Sequence, residues 1–314
     1  MTRDRVLRAA ASLDYSIDRR ARALRRQKSG TIGLIVADAE NPFFAQIIHA
    51  IEEVAYTSKH DLFFCNSNED PERERFHLLS MHAQRIDGII LLPVGDDASS
   101  LPAFLGRDTP LVCLDRRLPG ANFDLAILDN FMGSELAVRH LFEAGHKRIG
   151  IVTAHDRTVT VERIAGFRAT IAACGLDERP EYVRRGTDAR QESGYAQTVD
   201  LLGLKMPPTA IFATNPLLAL GALRAIRDCG LRVPDDVSVI GFDDTLYAGL
   251  LDPPLTTIVQ PTTELGRLAA ELLLDRVVRG FTGAPRNLVL PPKLEVRASV
   301  AAPLTRVRKR IAHR

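Results

Sequence analysis

The chain has 314 residues and a formal net charge of +2, and 46% of its residues are hydrophobic and 25% charged. That length is more than one small hydrophobic core organises, so we expect two domains or two lobes. No apolar run reaches the roughly 18–20 residues that span a bilayer, which excludes a membrane-spanning protein, and the basic N-terminus lacks the apolar segment of a secretory signal, which predicts a cytoplasmic location.

The first 30 residues form a basic leader. The stretch "TRDRVLRAAASLDYSIDRRARALRRQKSG" (2–30) predicts two short helices ahead of the first strand. Residues 1–28 contain nine basic and three acidic residues, a net +6, and the tail 305–314 contains five basic residues and no acid, a net +5. The remaining body therefore carries about −9, and basic ends on an acidic body are typical of a protein whose ends contact a polyanion. For the tail, a solvated basic terminus is the simpler interpretation.

The second leader helix is too short and too charged to be stable alone. Like charges repel along one of its faces, which carries Arg19, Arg22, Arg25 and Arg26. About nine residues is also less than an isolated helix needs in water. We therefore expect this segment to fold only against a polyanion, a partner helix or both.

From residue 31 onward, short β-branched runs alternate with helical windows. The predicted strands are 31–37, 61–66, 87–93, 110–115, 124–129, 147–153, 181–186, 209–214, 237–243 and 256–260, with two more after a helix at 262–280. Because these runs are apolar nearly throughout, we expect parallel sheets covered by helices on both faces. This number of strands is too large for a single doubly wound sheet in a chain of this length. The sequence therefore predicts an α/β fold with two Rossmann-like lobes of about six strands each.

Polar side chains follow the ends of several predicted strands. They are Asp38, Asn41, Asp115, Asp129, Asn215, Asp243 and Asp244. Ligands of open α/β sheets bind beyond the carboxyl ends of the strands. Converging carboxylates and amides there can hydrogen-bond the hydroxyls of a polar, uncharged ligand such as a sugar. The alternative for any one of them is a helix cap or a turn.

An aromatic pair and an arginine add to these candidates. Phe43 and Phe44 follow Asn-Pro at a predicted helix start, where one could stack on a ligand ring while the other packs beneath the sheet. Arg163 lies near the start of the helix predicted at 158–175, where the helix dipole disfavours a cation. We therefore expect a partner to hold it. A ligand carboxylate, phosphate or vicinal diol is one interpretation, and an ordinary surface arginine is the other.

Motifs of catalysis and of cofactor binding are missing. The sequence contains no Gly-x-Ser-x-Gly elbow, no P-loop, no Gly-x-Gly-x-x-Gly after the first strand and no His-Glu-x-x-His. The four cysteines are far apart, which predicts buried free thiols. His140 and His146 are interpreted as helix-end caps. We therefore expect no enzyme, no cofactor and no metal site.

Six motifs in order carry a resemblance to a known family. They are "IGLIVADAENPFFAQ", "RIDGIILLP", "LAVRHLFEAGHKRIGIVT", "RIAGFRA", "ALGALRAIRDCGLRVPDDVSVIGFDD" and "DPPLTTIVQP". From about residue 2 to residue 300 the chain resembles the lactose-repressor (LacI-type) family of bacterial transcription regulators. The resemblance implies a core like the type I periplasmic sugar-binding proteins, a homodimer, and a small effector in the cleft between the lobes.

The resemblance also divides the chain into parts. Residues 1–28 would be a remnant of the DNA-binding headpiece with its hinge helix, 29–304 the effector-binding core and 305–314 a basic tail. The lobes of the core would be an N-terminal lobe of about 31–128 and 262–289 and a C-terminal lobe of about 129–261 and 290–302.

Effector-binding positions of the family are carried over where this sequence matches them. Phe43 and Phe44 fall on the helix-start positions that contact effector, and Asp115 on the strand end of the N-terminal lobe. The positions of the C-terminal lobe that grip sugar hydroxyls or purines are Arg163, Asn215 and Asp243.

Two departures change the expected pocket. Pro216 stands where the family usually has an Asp after Asn215, which removes one carboxylate. Asp188 and Ala189 stand where many members have a stacking aromatic. We therefore expect a more polar wall on that side.

The front of the chain departs further from the family. The family begins with a helix-turn-helix that is absent here, whereas "TRDRVLRAAASLDYS" matches the third headpiece helix and "DRRARALRRQKS" the hinge helix. The resemblance assigns minor-groove wedging to Leu24 and DNA contacts to Arg19, Arg22 and Arg25. Because the major-groove reader is missing, the chain as given is expected to bind DNA weakly and without sequence preference.

The sequence therefore predicts a cytoplasmic, homodimeric transcription regulator that senses a small polar effector, a sugar or a sugar-derived metabolite. Effector would change the angle between the lobes and shift the hinge helices between ordered and disordered states. One alternative is a solute-binding protein of the same fold without DNA function, against which the missing signal peptide and the arginine-rich leader count. The other is an enzyme on this fold, which no motif supports.

Overall fold

Twelve strands and seven α-helices are present in the described residues, which are 28–95, 97–154 and 158–304 of this computed structural model. The strands are β1 Thr31–Val36, β2 Asp61–Asn66, β3 Gly88–Leu91, β4 Leu111–Leu114, β5 Asp124–Leu128, β6 Ile149–Thr153, β7 Val183–Arg185, β8 Ala210–Ala213, β9 Ser238–Phe242, β10 Thr256–Val259, β11 Asn287–Leu290 and β12 Lys293–Glu295. The helices are α1 Phe43–Thr57, α2 Pro71–Ala83, α3 Asn130–Glu143, α4 Thr158–Ala173, α5 Gln191–Leu202, α6 Pro216–Asp228 and α7 Thr262–Val277.

The strands form two six-stranded sheets with the same order. The sheet of the N-terminal lobe runs β11-β5-β4-β3-β1-β2, and that of the C-terminal lobe runs β12-β10-β9-β8-β6-β7. Among the paired strands of the described residues, only β12 runs antiparallel to its neighbour. The prediction of an α/β fold with two parallel-sheet lobes is confirmed. Because the order is repeated, β4 and β9 occupy equivalent positions in the two sheets. No repeat in the sequence indicates this equivalence.

The chain passes between the lobes three times. It crosses after β5 into α3, after β10 into α7, and between β11 and β12. As a result α7 packs into the core of the N-terminal lobe with α1, whereas α3 packs into the core of the C-terminal lobe with α4. Three crossings leave the lobes joined on one side and open on the other, which creates a cleft.

The sheets are buried on both faces, as the apolar runs predict. In β1, successive side chains point to opposite faces, so Leu34 packs with Ile47 of α1 while Ile35 packs with Met81 of α2. Each fully buried aliphatic side chain of this kind stabilises the fold by about 1.5–3 kcal/mol. Among the described residues, no helix is both long and apolar enough to cross a membrane.

His146 holds three strands of the C-terminal lobe together. Its Nδ1 lies 2.9 Å from Thr209 Oγ1 and its Nε2 lies 3.0 Å from Ser238 Oγ. The imidazole therefore links the segment before β6 to the residue before β8 and to the first residue of β9. The backbone N–H of His146 does cap the end of α3, because it donates to Leu141 O at 3.0 Å, but the sequence did not predict the role of the side chain. The side chain is 1% exposed, and burial lowers its pKa to about 4.

This buried histidine should make the free energy of unfolding depend on pH. In the unfolded chain its pKa is about 6.5, so between pH 6.5 and the folded value of about 4 the unfolded chain binds more protons. The stability contributed by neutral His146 is complete above about pH 6.5 and is lost as the pH falls toward 4, a loss of up to about 3 kcal/mol. Urea unfolding across this range should show a shallower pH slope for His146→Gln than for the unchanged chain. Equal slopes would contradict the assignment, and exposed His49→Gln is the control.

Candidate functional site

One cavity lies between the carboxyl ends of the two sheets. Its volume is about 360 Å³, which is in the range of small-molecule sites. The N-terminal lobe contributes residues after β1, β2 and β4, and the C-terminal lobe contributes residues after β6, β7, β8, β9 and β10. The structure brings all the residues predicted for effector binding to this cavity: Phe43, Phe44, Asp115, Arg163, Asn215 and Asp243.

Phe43 and Phe44 form the aromatic part of the cavity wall. The helix start is fixed by Asn41, whose Oδ1 accepts a hydrogen bond from the Phe43 N–H at 3.1 Å. The two rings pack edge to face, with centroids 5.0 Å apart and an interplanar angle of 67°. Both are buried and both border the cavity, whereas the sequence predicted that one would pack beneath the sheet. Together they offer a ligand two aromatic surfaces that are inclined to each other.

Asp115 and Asp243 occupy equivalent positions in the two lobes. Asp115 follows β4 and Asp243 follows β9, and each backbone N–H donates to the neighbouring strand, to Ala126 O at 3.0 Å and to Ile258 O at 2.9 Å. Both backbones are left-handed, with φ of +66° and +70°. This conformation costs a non-glycine residue about 1–2 kcal/mol, and such costs concentrate at functional sites. The fold thus places a carboxylate at the cleft from each lobe.

Burial raises the pKa of both carboxyl groups. Loss of hydration raises the pKa of Asp243 to about 6, against the opposing effects of Arg163 and Gln260. Gln260 Nε2 donates to Asp243 Oδ1 at 2.5 Å. Burial likewise raises the pKa of Asp115, against the positive charges of Arg116 and Arg163. Both groups therefore gain from a ligand that donates hydrogen bonds to them.

Arg163 is the buried cation of the cleft. Its guanidinium carbon lies 3.6 Å from the centroid of the Phe242 ring. Nε donates to Asn130 Oδ1 at 2.8 Å, and Nη1 donates to Thr214 O at 2.5 Å. Burial lowers its pKa, and the negative charges of Asp243 and Asp115 oppose that effect. The expected partners are thus protein groups, and they fix the guanidinium on the cavity wall.

Asn215 serves first as a helix cap. Its Oδ1 accepts a hydrogen bond from the Leu218 N–H at 2.7 Å at the start of α6, and its Nδ2 donates to Ala189 O at 3.0 Å. The cap alternative therefore holds for this residue, although it also lines the cavity. Because the oxygen caps the helix and one Nδ2 hydrogen binds Ala189 O, the second Nδ2 hydrogen is the donor that Asn215 can offer a ligand.

The loop 187–190 forms the wall that the sequence predicted to be polar. Asp188 Oδ1 accepts a hydrogen bond from the Arg190 N–H at 2.9 Å. Arg190 Nη1 in turn donates to Glu40 Oε2 of the other lobe at 2.9 Å. The ion pair Arg190–Glu40 therefore crosses the cleft beside positions 188 and 189, where the family resemblance would place an aromatic ring.

Among the polar lining residues that the sequence analysis did not single out are Glu69, Arg116 and Gln260. Arg116 and Glu69 form a two-bond ion pair, with Nη1–Oε2 at 2.9 Å and Nη2–Oε1 at 2.5 Å. Gln260 carries a buried Oε1 without a hydrogen-bond partner among the described residues. Arg116 and Gln260 each follow a strand, so the strand-end rule could have found them, but no local signal joins Glu69 to an arginine 47 residues away.

Two of the strand-end candidates have purely structural roles. Asp129 caps α3 by accepting a hydrogen bond from the Met132 N–H at 2.9 Å. Asp244 pairs with Arg297, with Nη1–Oδ1 at 2.6 Å and Nη2–Oδ2 at 2.9 Å. Neither borders the cavity. The predicted DNA contacts Arg19, Arg22, Leu24 and Arg25 lie outside the described residues.

The cavity has the chemistry of a binding site. Its described lining residues supply carboxylate and amide acceptors, guanidinium donors and aromatic surface, and they include no Cys, His, Lys or Ser. Such a set can orient a small molecule through several hydroxyl or amine hydrogens at once.

Comparisons with known proteins cover nearly the whole chain. The family model of the periplasmic binding protein-like domain matches residues 138–300. The HTH-type transcriptional repressor PurR of Haemophilus influenzae (strain PittEE) is 37% identical over 303 residues, which are 95% of this chain and 90% of that protein. A solved structure of a LacI family transcriptional regulator from Enterococcus faecium with bound ribose matches with a TM-score of 0.78 at 30% identity, over 87% of this chain and 99% of that one. The complex of the transcriptional regulator CelR with cellobiose matches with a TM-score of 0.78 at 32% identity, over 95% and 90%.

Proposed function

Because this chain belongs to the LacI family of DNA-binding transcriptional regulators, we propose that its cleft binds a small polar effector, a sugar or a sugar-derived metabolite, and that this binding controls how the chain binds DNA. The relatives that it matches are transcriptional repressors and regulators. A solute-binding protein without DNA function is therefore not favoured, and the relatives are not enzymes.

The observation that carries the proposal is the pair of buried aspartates around one buried arginine. Asp115 and Asp243 come from opposite lobes, and Arg163 experiences the charge of both. A ligand with several hydroxyls can donate to each carboxylate and accept from the guanidinium at once. A molecule bound in this way contacts both lobes, which is the requirement for a ligand that sets the angle between them.

A neutral polyol suits the remaining groups of the cavity. Gln260 Oε1, which has no hydrogen-bond partner in the described part of the chain, is an acceptor that a ligand hydroxyl would satisfy. Phe43 and Phe44 offer the apolar face against which a sugar ring or another ring can pack. Ribose and cellobiose are the ligands of two structural relatives, and molecules of this class agree with the cavity's size.

Effector control follows from where the lobes are linked. The ion pair Arg190–Glu40 and the hydrogen bond from Thr158 Oγ1 to Arg117 O at 3.1 Å both cross the cleft. An effector that binds one lobe arrangement better than the other shifts their populations by its difference in affinity. This shift would change how the hinge segment contacts DNA through Arg19, Arg22, Leu24 and Arg25. The protein would be cytoplasmic, where DNA is directly accessible.

A thermal-shift screen of sugars and nucleobases tests the effector proposal. Nucleobases belong in the screen because the family positions carried over to Arg163, Asn215 and Asp243 grip sugar hydroxyls or purines. We expect at least one saturable rise in melting temperature, since a ligand at 100 times its Kd stabilises by about 2.7 kcal/mol. A screen without any binder would contradict the proposal, and so would a binder that stabilises the Arg163→Met chain equally well.

We also propose that two chains pair as a homodimer through exposed apolar side chains on both lobes. Phe76 and Leu79 of α2 are 68% and 45% exposed, and Leu246 and Leu250 after β9 are 89% and 84% exposed. Large apolar side chains so exposed mark interaction surfaces more often than free surface when they cluster. A self-complementary contact of this kind would bring two leaders to one DNA site.

Charged substitutions on this surface should separate the protomers. The double variant Phe76→Asp and Leu250→Asp would bury two carboxylates in the interface, so we expect sedimentation velocity to show a monomer where the unchanged chain sediments as a dimer. Met206→Asp, at a side chain 51% exposed on the C-terminal lobe, is the control and should leave the dimer intact. A dimer that persists in the double variant would place the interface elsewhere.

A further inference from the structure

A row of cations lies along the edge of the N-terminal sheet opposite the cleft, here called the amino edge. Lys28, Lys59, Arg85 and Arg107 lie two to four residues before the first residues of β1, β2, β3 and β4, respectively. Because the sheet order is β4-β3-β1-β2, the cations follow one another as Arg107, Arg85, Lys28 and Lys59. Neighbouring strands are about 4.8 Å apart, so the row extends over roughly 15 Å.

The side chains of Lys59, Arg85 and Arg107 are exposed and make no hydrogen bond or ion pair with any residue that the structure describes. Two other arginines of this lobe, Arg276 and Arg286, differ in that both pair with the buried Asp124. The three exposed cations are therefore available for an outside anion.

The backbone of two of these cations carries a cost. Lys59 and Arg85 follow the C-caps of α1 and α2 in the left-handed conformation, with φ of +60° and +56°. Three helices of the C-terminal lobe have glycine at this position, namely Gly145, Gly175 and Gly230. A cation near a helix C-terminus does interact well with the helix dipole. It could do so from the last turn, without the conformational cost that glycine avoids, so the presence of a cation at both left-handed positions is consistent with a role beyond ending the helix.

Acidic residues also lie at this edge, and they do not form a competing patch. Asp87 is engaged by the backbone, because its Oδ1 and Oδ2 accept hydrogen bonds from the Ser29 and Gly30 N–H groups at 2.6 and 2.8 Å. Asp61 begins β2 and has partners of its own. Asp61 and Asp108 are both exposed, and they lie at opposite ends of the row, by β2 and β4.

The basic leader joins the core in the middle of this row. Lys28 Nζ donates to Val277 O at 2.6 Å, at the end of α7, and the hydrogen bonds to Asp87 hold the next two residues. The 27 residues before Lys28 carry most of the leader's net +6 charge. They connect to the core at this edge, because Lys28 does. The described attachment point of the leader is therefore on the same side of the core as the three exposed cations.

We propose that Lys59, Arg85 and Arg107 contact the phosphates of the DNA duplex held by the leader, so that the core itself contributes to DNA affinity without reading sequence. This inference rests on the proposed DNA-binding function. It adds a second contact surface, on the effector-binding core, to the contacts of the leader.

The salt dependence of DNA binding tests this surface. We compare the unchanged chain with the triple variant Lys59→Gln, Arg85→Gln and Arg107→Gln by fluorescence anisotropy on a labelled mixed-sequence DNA duplex, over a series of KCl concentrations. The slope of log Kd against log salt should decrease by about one for each phosphate contact removed, with at least a tenfold loss of affinity at low salt. The control triple is Lys147→Gln, Lys205→Gln and Arg232→Gln, which removes the same charge ahead of β6, β8 and β9 on the other lobe and should leave the slope unchanged.

An unchanged slope in the first triple variant would overturn the inference and leave the proposed function standing. An equal loss in both triples would also overturn it, since the effect would then be one of net charge. Absence of DNA binding by the unchanged chain would refute the proposed function and this inference together.

A glycine pair separates function from folding at the amino edge. Lys59→Gly and Arg85→Gly remove the charges and suit the left-handed backbone, so the double variant should melt at the same or a higher temperature and still bind the duplex more weakly. If both residues only end their helices, DNA affinity will stay unchanged.

Discussion

Replacing Arg163 with Met should lower the affinity for the effector found in the screen by at least about 100-fold, because hydrogen bonds to a charged group contribute about 1.5–3 kcal/mol each. The guanidinium also favours the ionised forms of Asp115 and Asp243. Without it, the pKa of both carboxyl groups rises further, so the acceptors of the cleft are lost together with the donor. Isothermal titration calorimetry at pH 7 measures the loss.

Two matched variants show whether the loss is local. Arg168→Met changes an arginine of the same helix whose side chain is 44% exposed and pairs with Glu178 at 2.9 Å, away from the cavity, and it should leave the affinity unchanged. Arg163→Lys keeps the charge but not the flat guanidinium over Phe242 or its two directed hydrogen bonds, and we expect an intermediate affinity. Full affinity in Arg163→Met would place the effector elsewhere.

Replacing Asp243 with Asn should stabilise the free protein while weakening effector binding. The pKa of an Asp in the unfolded chain is about 3.9, and burial raises that of Asp243 to about 6 in the folded chain. Between these values the folded chain binds more protons, so the free energy of unfolding falls as the pH rises through this range. At pH 7 the ionised group costs at most about 3 kcal/mol, which the neutral amide removes. Urea unfolding at pH 7 should therefore show a higher midpoint for Asp243→Asn.

The same residue should give effector binding its pH dependence. If the ionised carboxylate accepts hydrogen bonds from the effector, affinity falls as the pH drops through about 6. Asp243→Asn should bind at least tenfold more weakly at pH 7, with a flatter profile below it. An unchanged profile would show that Asp243 is not the titrating acceptor.

The neighbouring carboxyl group is a control of opposite sign. Burial alone would raise the pKa of Asp244, but hydrogen bonds from Arg297 and Thr257 lower it below its ordinary value. Its stabilising effect is present above the unfolded pKa and is lost in acid. Asp244→Asn should therefore lower the free energy of unfolding at pH 7, where Asp243→Asn raises it.

The position of the cleft residues was predictable because it depends on strand ends. A run of apolar residues shows where a strand stops, and parallel strands bring their ends to one edge, so Asp115 and Asp243 could be proposed without coordinates. Arg163 was predictable for a different reason, since a cation at the positive end of a helix requires a compensating partner. Their roles in effector binding remain predictions that the variants above would test.

Other features depend on contacts between distant residues. The side-chain contacts of His146 could not be predicted because its hydroxyl partners are 63 and 92 residues away, whereas its backbone cap on α3 is local. Glu69 reaches Arg116 across 47 residues in the same way. The equivalence of Asp115 and Asp243, including their shared left-handed backbone, follows from a strand order repeated in both lobes without a repeated sequence.

The most direct test of the account is the DNA affinity of this chain with and without the effector. We expect a saturating compound from the screen to change Kd for the mixed-sequence duplex by roughly 5–150-fold, the range of allosteric couplings, and this change to disappear in Arg163→Met. The same Kd with and without a compound that demonstrably fills the cleft would contradict effector control of DNA binding.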